Sequence, residues 1–279
     1  MVDKVESIDR CSLGIVGGGV MAEALLSRLL GAQTYQPTEV LVSEPAPHRR
    51  DFLVQTYGVR VTEDNTTVVV AAEVLLLAVK PQVFETIAAE VAQTSMLPSG
   101  RSPLVISILA GVPLSKLEAA FPGKPIVRAM PNTPATVGAG ITAIAAGSCA
   151  DGESLSQARG ILEAVGDVVE VAESLMDAVT GLSGSGPGYV AEFVEALTDG
   201  GVAAGLPRAI ASHLAVQTVL GTARLLAESG MHPAELKDRV TSPGGTTISG
   251  IAELEKAGAR SAIIEAVRAA SRRSRELGG

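Results

Sequence analysis

Two short segments of the chain hold residue types at spacings that chemistry can use. Gly17-Gly18-Gly19-Val20-Met21-Ala22 fits G-x-G-x-x-A and follows the apolar run Cys11–Val16. In such a motif the first glycine makes a tight turn and the second lets the backbone approach a pyrophosphate. Ala22 permits close helix–strand packing, and the positive helix end faces the negative charge. The motif alone is weak, and its strand–turn–helix context is what favours a dinucleotide over an unliganded glycine turn. The second segment is Thr241-Ser242-Pro243-Gly244-Gly245-Thr246-Thr247, between two helical stretches. Its paired glycines expose backbone N–H groups, and a helix is expected from about Thr247. Exposed N–H groups with a positive helix end make a carboxylate site without any basic residue, and Ser242, Thr246 and Thr247 add hydroxyls. Ordinary N-capping by threonine explains the same residues, and local chemistry alone favours it.

Other residues fall near these two. Glu44 ends the second expected strand, where an acid accepts from ribose hydroxyls and repels a 2′-phosphate. His48, Arg49 and Arg50 follow closely and could bind that phosphate, or form a solvated helix start. The choice between NAD and NADP is left open by these residues. Ala78-Val79-Lys80-Pro81 and Ala110-Gly111 end two further strands on the carboxyl edge, where ligands of such sheets bind. Lys80 either touches the cofactor or is a surface charge. Gly181-Leu182-Ser183-Gly184-Ser185-Gly186-Pro187 is a third glycine cluster, either a turn or kink between helices or a backbone that approaches a ligand.

The elements that must position these residues are legible in outline. Apolar runs at 11–16, 39–43, 59–61, 74–79, 104–109, 125–130, 140–146 and 167–171 predict strands. Helices are expected at 21–30, 47–57, 82–94, 113–120 and 155–164. Continuous apolar strands separated by helices suggest a parallel sheet covered on both faces. From residue 174 onward only helices are expected, at 174–180, 187–204, 207–228, 233–239, 247–256 and 260–277. Pro207 and Pro233 stand where helices begin, and Gly205, Gly230 and Gly258 where they end. A nucleotide-binding domain over 1–173 and an all-helical domain over 174–279 follow. Long apolar helices such as 207–228, with Leu214, Leu220, Leu225 and Leu226, exceed what one small helical domain can bury, which implies self-association.

Composition narrows the function class. The chain has 279 residues, is 47% hydrophobic and carries a formal charge of −8, with no Trp and 3% aromatic residues. That is enough apolar mass to exclude disorder, and the acidic, aromatic-poor balance argues against nucleic acid. No stretch reaches about 18 uninterrupted apolar residues, so no membrane span is expected. Residues 1–6 mix charges where a signal peptide would be basic and then apolar, and a cytoplasmic location is expected. Cys11 and Cys149 give neither a disulfide framework nor metal-ligand spacing, so no metal is expected.

Together these residues resemble pyrroline-5-carboxylate reductases. The likeness runs nearly the whole chain, through Ala78–Pro81, Met130-Pro131-Asn132-Thr133-Pro134, 180–187, Asp199–Val202 with Gly205-Leu206-Pro207, and most specifically 236–247. It implies reduction of Δ1-pyrroline-5-carboxylate to L-proline by NADPH or NADH. It implies an α/β N-terminal Rossmann domain, a doubly wound, mainly parallel sheet, followed by an all-α dimerisation domain, often assembled into a decamer of five dimers. Residue by residue, it implies cofactor contacts at Gly17, Gly18, Gly19, Val20, Met21, Glu44, Asn65, Ala78, Val79, Lys80, Pro81, Ala110, Gly111 and Asn132. Substrate contacts fall at Ser242, Pro243, Gly244, Gly245, Thr246 and Thr247, with Thr247 at the ring nitrogen as the catalytic group. This chain departs from the family pattern at Val20, often Asn, and at Glu44, commonly Ser, Asn or Arg. A hydroxyacid dehydrogenase of similar layout would need a catalytic lysine in 187–200, which has none. A non-catalytic nucleotide sensor would have no need of Ser242–Thr247.

Overall fold

Short apolar runs bounded by turn residues are stable only when both faces are covered. The computed structural model describes residues 10–93 and 103–278, and among these, eight such runs form one sheet. The strands are β1 (Cys11–Val16), β2 (Val40–Ser43), β3 (Arg60–Thr62), β4 (Ala72–Leu77), β5 (Leu104–Ser107), β6 (Ile126–Met130), β7 (Gly140–Ala146) and β8 (Gly166–Glu170). Between them lie helices α1 (Val20–Gly31), α2 (Pro47–Tyr57), α3 (Asn65–Ala71), α4 (Phe84–Gln93), α5 (Leu114–Ala120) and α6 (Gly152–Leu162). The sheet order is β3-β2-β1-β4-β5-β6-β7-β8. All neighbours are parallel except the β6–β7 pair. The order reverses between β1 and β4, which is where open parallel sheets of this kind bind ligands.

Alternate residues of the central strands feed two cores. Val74, Leu76 and Ile106 pack with Leu13, Ile15 and the α1 leucines. Leu75, Leu77 and Val105 pack on the opposite face with Val68, Phe84 and Ile87. Gly14 is bare because a Cβ there would lie 2.6 Å from the Ala72 Cβ and 2.8 Å from a Val68 methyl carbon. Cys11 is buried in the second core, and burial pushes its thiol up to about 11, which leaves it unreactive at neutral pH.

Several boundaries differ from the sequence expectation. Helix α3 was not expected, because Val68–Val70 are β-branched and run straight into β4. Asp64 starts it, accepting from Thr66 N and Thr67 N at 3.0 and 3.1 Å. Strand β4 ends at Leu77 rather than 79, and β5 at Ser107 rather than 109. Ala78 N and Ile108 N make the last bridging bonds, to Val16 O and Leu77 O, before the chain turns away. Helix α4 begins at Phe84, and the expected end at residue 94 lies outside the described residues, as do residues 1–6 and 279.

The rest of the chain is helical: α7 (Met176–Val179), α8 (Gly186–Ala203), α9 (Arg208–Ser229), α10 (Pro233–Arg239), α11 (Thr246–Lys256) and α12 (Ala259–Gly278). Where one helix was expected over 174–180, a 3-10 turn (Glu173–Leu175), α7 and a π turn (Thr180–Gly184) follow one another. Thr180 and Ser183 hydroxyls donate to the carbonyls of Met176 and Val179, which loosens this stretch. By compactness the described chain forms two units, one running to Gly184 and taking in the chain from Ala270 onward, the other Ser185–Ala269. Met176 is buried in the second core, and Ser274 Oγ donates to Asp177 at 2.7 Å, which ties both segments to the first unit. In the second unit, Gly201 meets α9 closely, a Cβ there lying 3.0 Å from that of Ala211. Gly205, at φ +101°, closes α8, with Leu206 N donating to Gly201 O at 3.0 Å.

Candidate active site

The candidate residues fall in two groups, one in each unit. The first lies on the carboxyl edge of the sheet. Gly17 takes φ +100°, and a Cβ there would sit 2.8 Å from the Ala78 carbonyl oxygen, so only glycine fits. Gly17 N donates to Ser43 O at 2.9 Å and Glu44 N to Thr62 O at 3.0 Å, which sets Gly17, Glu44 and Ala78 side by side at the sheet edge. Gly19 is the N-cap of α1, no side chain caps it, and a Cβ there would meet nothing within 4 Å. A tight turn, an uncapped helix start and open space at the third glycine together fit a pyrophosphate. Val20, at the first helical position, is 73% exposed, while Met21 packs partly on the core.

A polar network fixes this loop. The Glu44 carboxylate accepts from Gly18 N at 3.0 Å and from Ala46 N at 2.9 Å. Arg49 Nε donates to Gly18 O at 2.7 Å, and the Arg49 guanidinium pairs with Glu23. Tyr57 donates to the other Glu23 oxygen at 2.8 Å. Burial alone would raise the Glu23 carboxyl, but the hydrogen bonds from Arg49 and Tyr57 outweigh it and hold the group below the ordinary carboxylate value. Burial and the Glu23 partner raise the Tyr57 hydroxyl. Sequence reasoning missed this network; the alternation of Glu23 with Tyr57 and Arg49 across two helices leaves no local signal.

The remaining edge residues take distinct places. Asn65 Oδ1 accepts from Ser43 Oγ at 2.8 Å and its amide donates to Glu90 at 2.9 Å, so it braces the end of β2. Ala78 and Val79 are half-buried, and Lys80 and Pro81 lead into a short 3-10 turn with Lys80 exposed. Ala110 is exposed, and Gly111 at φ +78° lies against the last residues of α12. Asn132 is buried, and its Oδ1 accepts from Ile141 N at 3.0 Å, holding the start of β7.

The second group is the loop between α10 and α11. Gly245 N donates to Ser242 O at 3.0 Å, Gly244 takes φ +65°, and a Cβ on Gly245 would collide with the Ser242 hydroxyl. Helix α11 begins at Thr246, one residue before expectation, and its N-cap is Gly245 with no side-chain cap. Threonine capping, which local chemistry favoured, is therefore not what this loop does. Thr246 and Thr247 stand inside the first turn, and the N–H groups of Thr246, Thr247 and Ile248 have no intrahelical partner. Ser242, Pro243, Gly244 and Thr246 are exposed, and Thr247 and Gly245 half-buried.

A relative from Synechocystis, "Pyrroline-5-carboxylate reductase", is 62% identical over 95% of this chain and 98% of its own length. The chain belongs to the pyrroline-5-carboxylate reductase family. Its activity is the NAD(P)H-dependent reduction of Δ1-pyrroline-5-carboxylate to L-proline, in proline biosynthesis. The family model described as "Pyrroline-5-carboxylate reductase dimerisation" matches residues 173–277 of this reductase, which supports self-association. "NADP oxidoreductase coenzyme F420-dependent" matches residues 12–111. A pyrroline-5-carboxylate reductase structure from Coxiella burnetii aligns with TM-score 0.88 and 36% identity, over 97% of this chain and 100% of that one. The Plasmodium falciparum enzyme, solved with NADP bound, aligns with TM-score 0.84 and 29% identity over 97% and 99%. Among the described residues of the reductase, no helix is long and apolar enough to cross a membrane.

Proposed function

We propose that the 242–247 loop holds the substrate carboxylate and that Thr247 serves the ring nitrogen. The observation that carries this is the uncapped start of α11, whose first-turn N–H groups face no side chain of their own. A carboxylate satisfies such donors and gains from the positive helix end, which suits a chain of net charge −8 with only Lys237 and Lys256 as lysines after residue 173. Ser242 adds a hydroxyl to the carboxylate, while Pro243 and Gly244 set the turn that presents it. The Thr247 hydroxyl hydrogen-bonds the ring nitrogen and orients the C=N bond. A protonated cyclic imine is already electrophilic, so the residues supply position more than acid strength. The bound nicotinamide supplies the hydride. Gly17, Gly18, Gly19, Val20 and Met21 hold the pyrophosphate through the loop and α1. Ala78–Pro81, Ala110, Gly111 and Asn132 line the nicotinamide end, and Asn65 and Glu44 the adenosine end. In Thr247→Ala, kcat/KM for pyrroline-5-carboxylate should fall about ten- to hundredfold, the usual scale for one positioned polar group. An unchanged value removes Thr247 from the chemical step.

We further assign nucleotide binding to 1–173 and substrate binding with dimerisation to 174–279, within a cytoplasmic enzyme that assembles as a decamer of five dimers. Leu214, Leu220 and Leu225 of α9 are exposed in the single chain, and Leu226 is half-buried, so a second copy is needed to cover them. Light scattering should give the mass of ten chains, and Leu214→Glu with Leu220→Glu should reduce it to that of one. A parent mass of two chains would end the decamer reading, and full activity in a strictly monomeric species would end the need for a dimer. Fractionation that recovers the enzyme with membranes or secreted protein would contradict the location.

A further inference from the structure

A dinucleotide with a 2′-phosphate on its adenine ribose needs cations at the end of β2, whereas one with only hydroxyls needs an acceptor there. The structure shows how both arginines beside this edge are engaged. Arg49 donates to the Gly18 carbonyl at 2.7 Å and pairs with Glu23, and its guanidinium carbon lies 4.7 Å from the Phe52 ring centroid. Arg50 donates to the carbonyl oxygens of Glu44 and Pro45 at 2.7 and 2.9 Å and reaches Glu63 at 3.4 Å. Both guanidiniums therefore serve the fold of the loop, and three carboxylates (Glu23, Glu44 and Glu63) outnumber them. His48 is exposed on the first turn of α2.

Glu44 itself is held in place. Each carboxylate oxygen accepts from a different backbone N–H, Gly18 at 3.0 Å and Ala46 at 2.9 Å. A Cβ on Gly18 would come within 3.2 Å of the carboxylate, so the charge lies directly against the glycine loop. A carboxylate anchored at both oxygens does not swing aside for a phosphate. Each oxygen keeps lone pairs for a ribose hydroxyl. We propose that Glu44 makes this reductase select NADH over NADPH, a proposal that rests on reading Gly17–Gly19 as the pyrophosphate cradle.

Isothermal titration of the full-length protein with NAD+ and with NADP+ tests this without turnover. NAD+ should bind at least about tenfold more tightly, the scale of one like-charge contact at a partly exposed site. Glu44→Ser should bring the two affinities to within about threefold, chiefly by tightening NADP+. Glu44→Gln, which keeps the side chain's size, should move the ratio the same way and so separates charge from loop collapse. The ratio of kcat/KM for NADH and NADPH should follow the binding ratio. Equal or tighter NADP+ binding by the parent overturns the proposal while leaving the cradle intact. So does an Arg50→Ala variant that loses NADP+ affinity alone, because Arg50 would then be the phosphate ligand. Failure of both nucleotides to bind overturns the cradle reading as well.

Discussion

The two glycine loops of this reductase each lead into a helix start that no side chain caps, and they are built in opposite ways. Gly17–Gly19 is locked from outside. Its N–H and carbonyl groups are tied to Ser43, Glu44 and Arg49, all distant in sequence, and Gly17 is pressed against Ala78. Gly244–Gly245 is held by near neighbours in sequence: Gly245 N donates to Ser242 O, the Gly245 carbonyl accepts from Ser249 N and Oγ, and the Ser242 hydroxyl lies beside it. The first is pre-formed by a sheet edge and a charged network. The second is an exposed turn whose geometry depends on the absence of a Cβ. A loop of the first kind resists local change through many partners, and one of the second kind is sensitive to a single atom.

Substitutions can break or sharpen that contrast. The largest effect is expected from Gly245→Leu, whose side chain must displace Ser242 and distort the start of α11. Its kcat/KM for pyrroline-5-carboxylate should drop about a hundred- to a thousandfold, the scale seen when backbone donors to an anion are lost. NAD(P)H binding and melting temperature should stay near the parent's. Intact substrate affinity in this variant would show that the loop does not hold the carboxylate. Gly17→Ala comes next. Its positive φ and the Ala78 carbonyl make it costly by about 2–3 kcal/mol, so nucleotide affinity and thermal stability should fall together. A loss of binding with unchanged melting temperature would mean the loop is less locked than its bonds suggest.

The smallest effect tests the outer network. The Glu23 carboxyl is lowered in the folded state, so its contribution is full above the ordinary carboxylate value, near about 4.3, and is lost as pH falls through the folded value. Glu23→Gln should therefore cost about 1 kcal/mol at neutral pH, and its melting temperature should fall less steeply than the parent's under acid. Identical acid profiles for the two would remove Glu23 from the network's energetics. Tyr57→Phe should reproduce part of the loss, since one of the two donors to Glu23 is removed.

How much was legible varies with the range of the interaction. The Gly17–Ala22 motif announced itself because turn, helix start and packing residue lie within one short segment. The strands β1, β6 and β7 were visible as apolar runs closed by turn residues. Helix α3 was hidden because its valines favour strands in isolation, and only Asp64 and the packing of Val68 against Gly14 make it helical. The fate of Arg49 and Arg50 was hidden for a related reason. Their partners Glu23, Gly18 and Glu63 come from other elements, and no spacing rule connects them. Thr246 and Thr247 read as caps because threonine so often caps. That Gly245 takes the cap position instead depends on the turn made by Gly244.

What the sequence by itself determined is local chemistry: periodicity chose the elements, glycines with no Cβ allowed both tight loops, and the run of motifs through 236–247 named the family. Tertiary structure alone decided which charges are available. Whether Arg50 greets a phosphate or braces a carbonyl, and whether Glu44 is mobile or pinned, depends on hydrogen bonds that close only when β2, α2 and the glycine loop meet. Side-chain type fixes what a residue can donate, but the partner that satisfies it is set by packing across the chain.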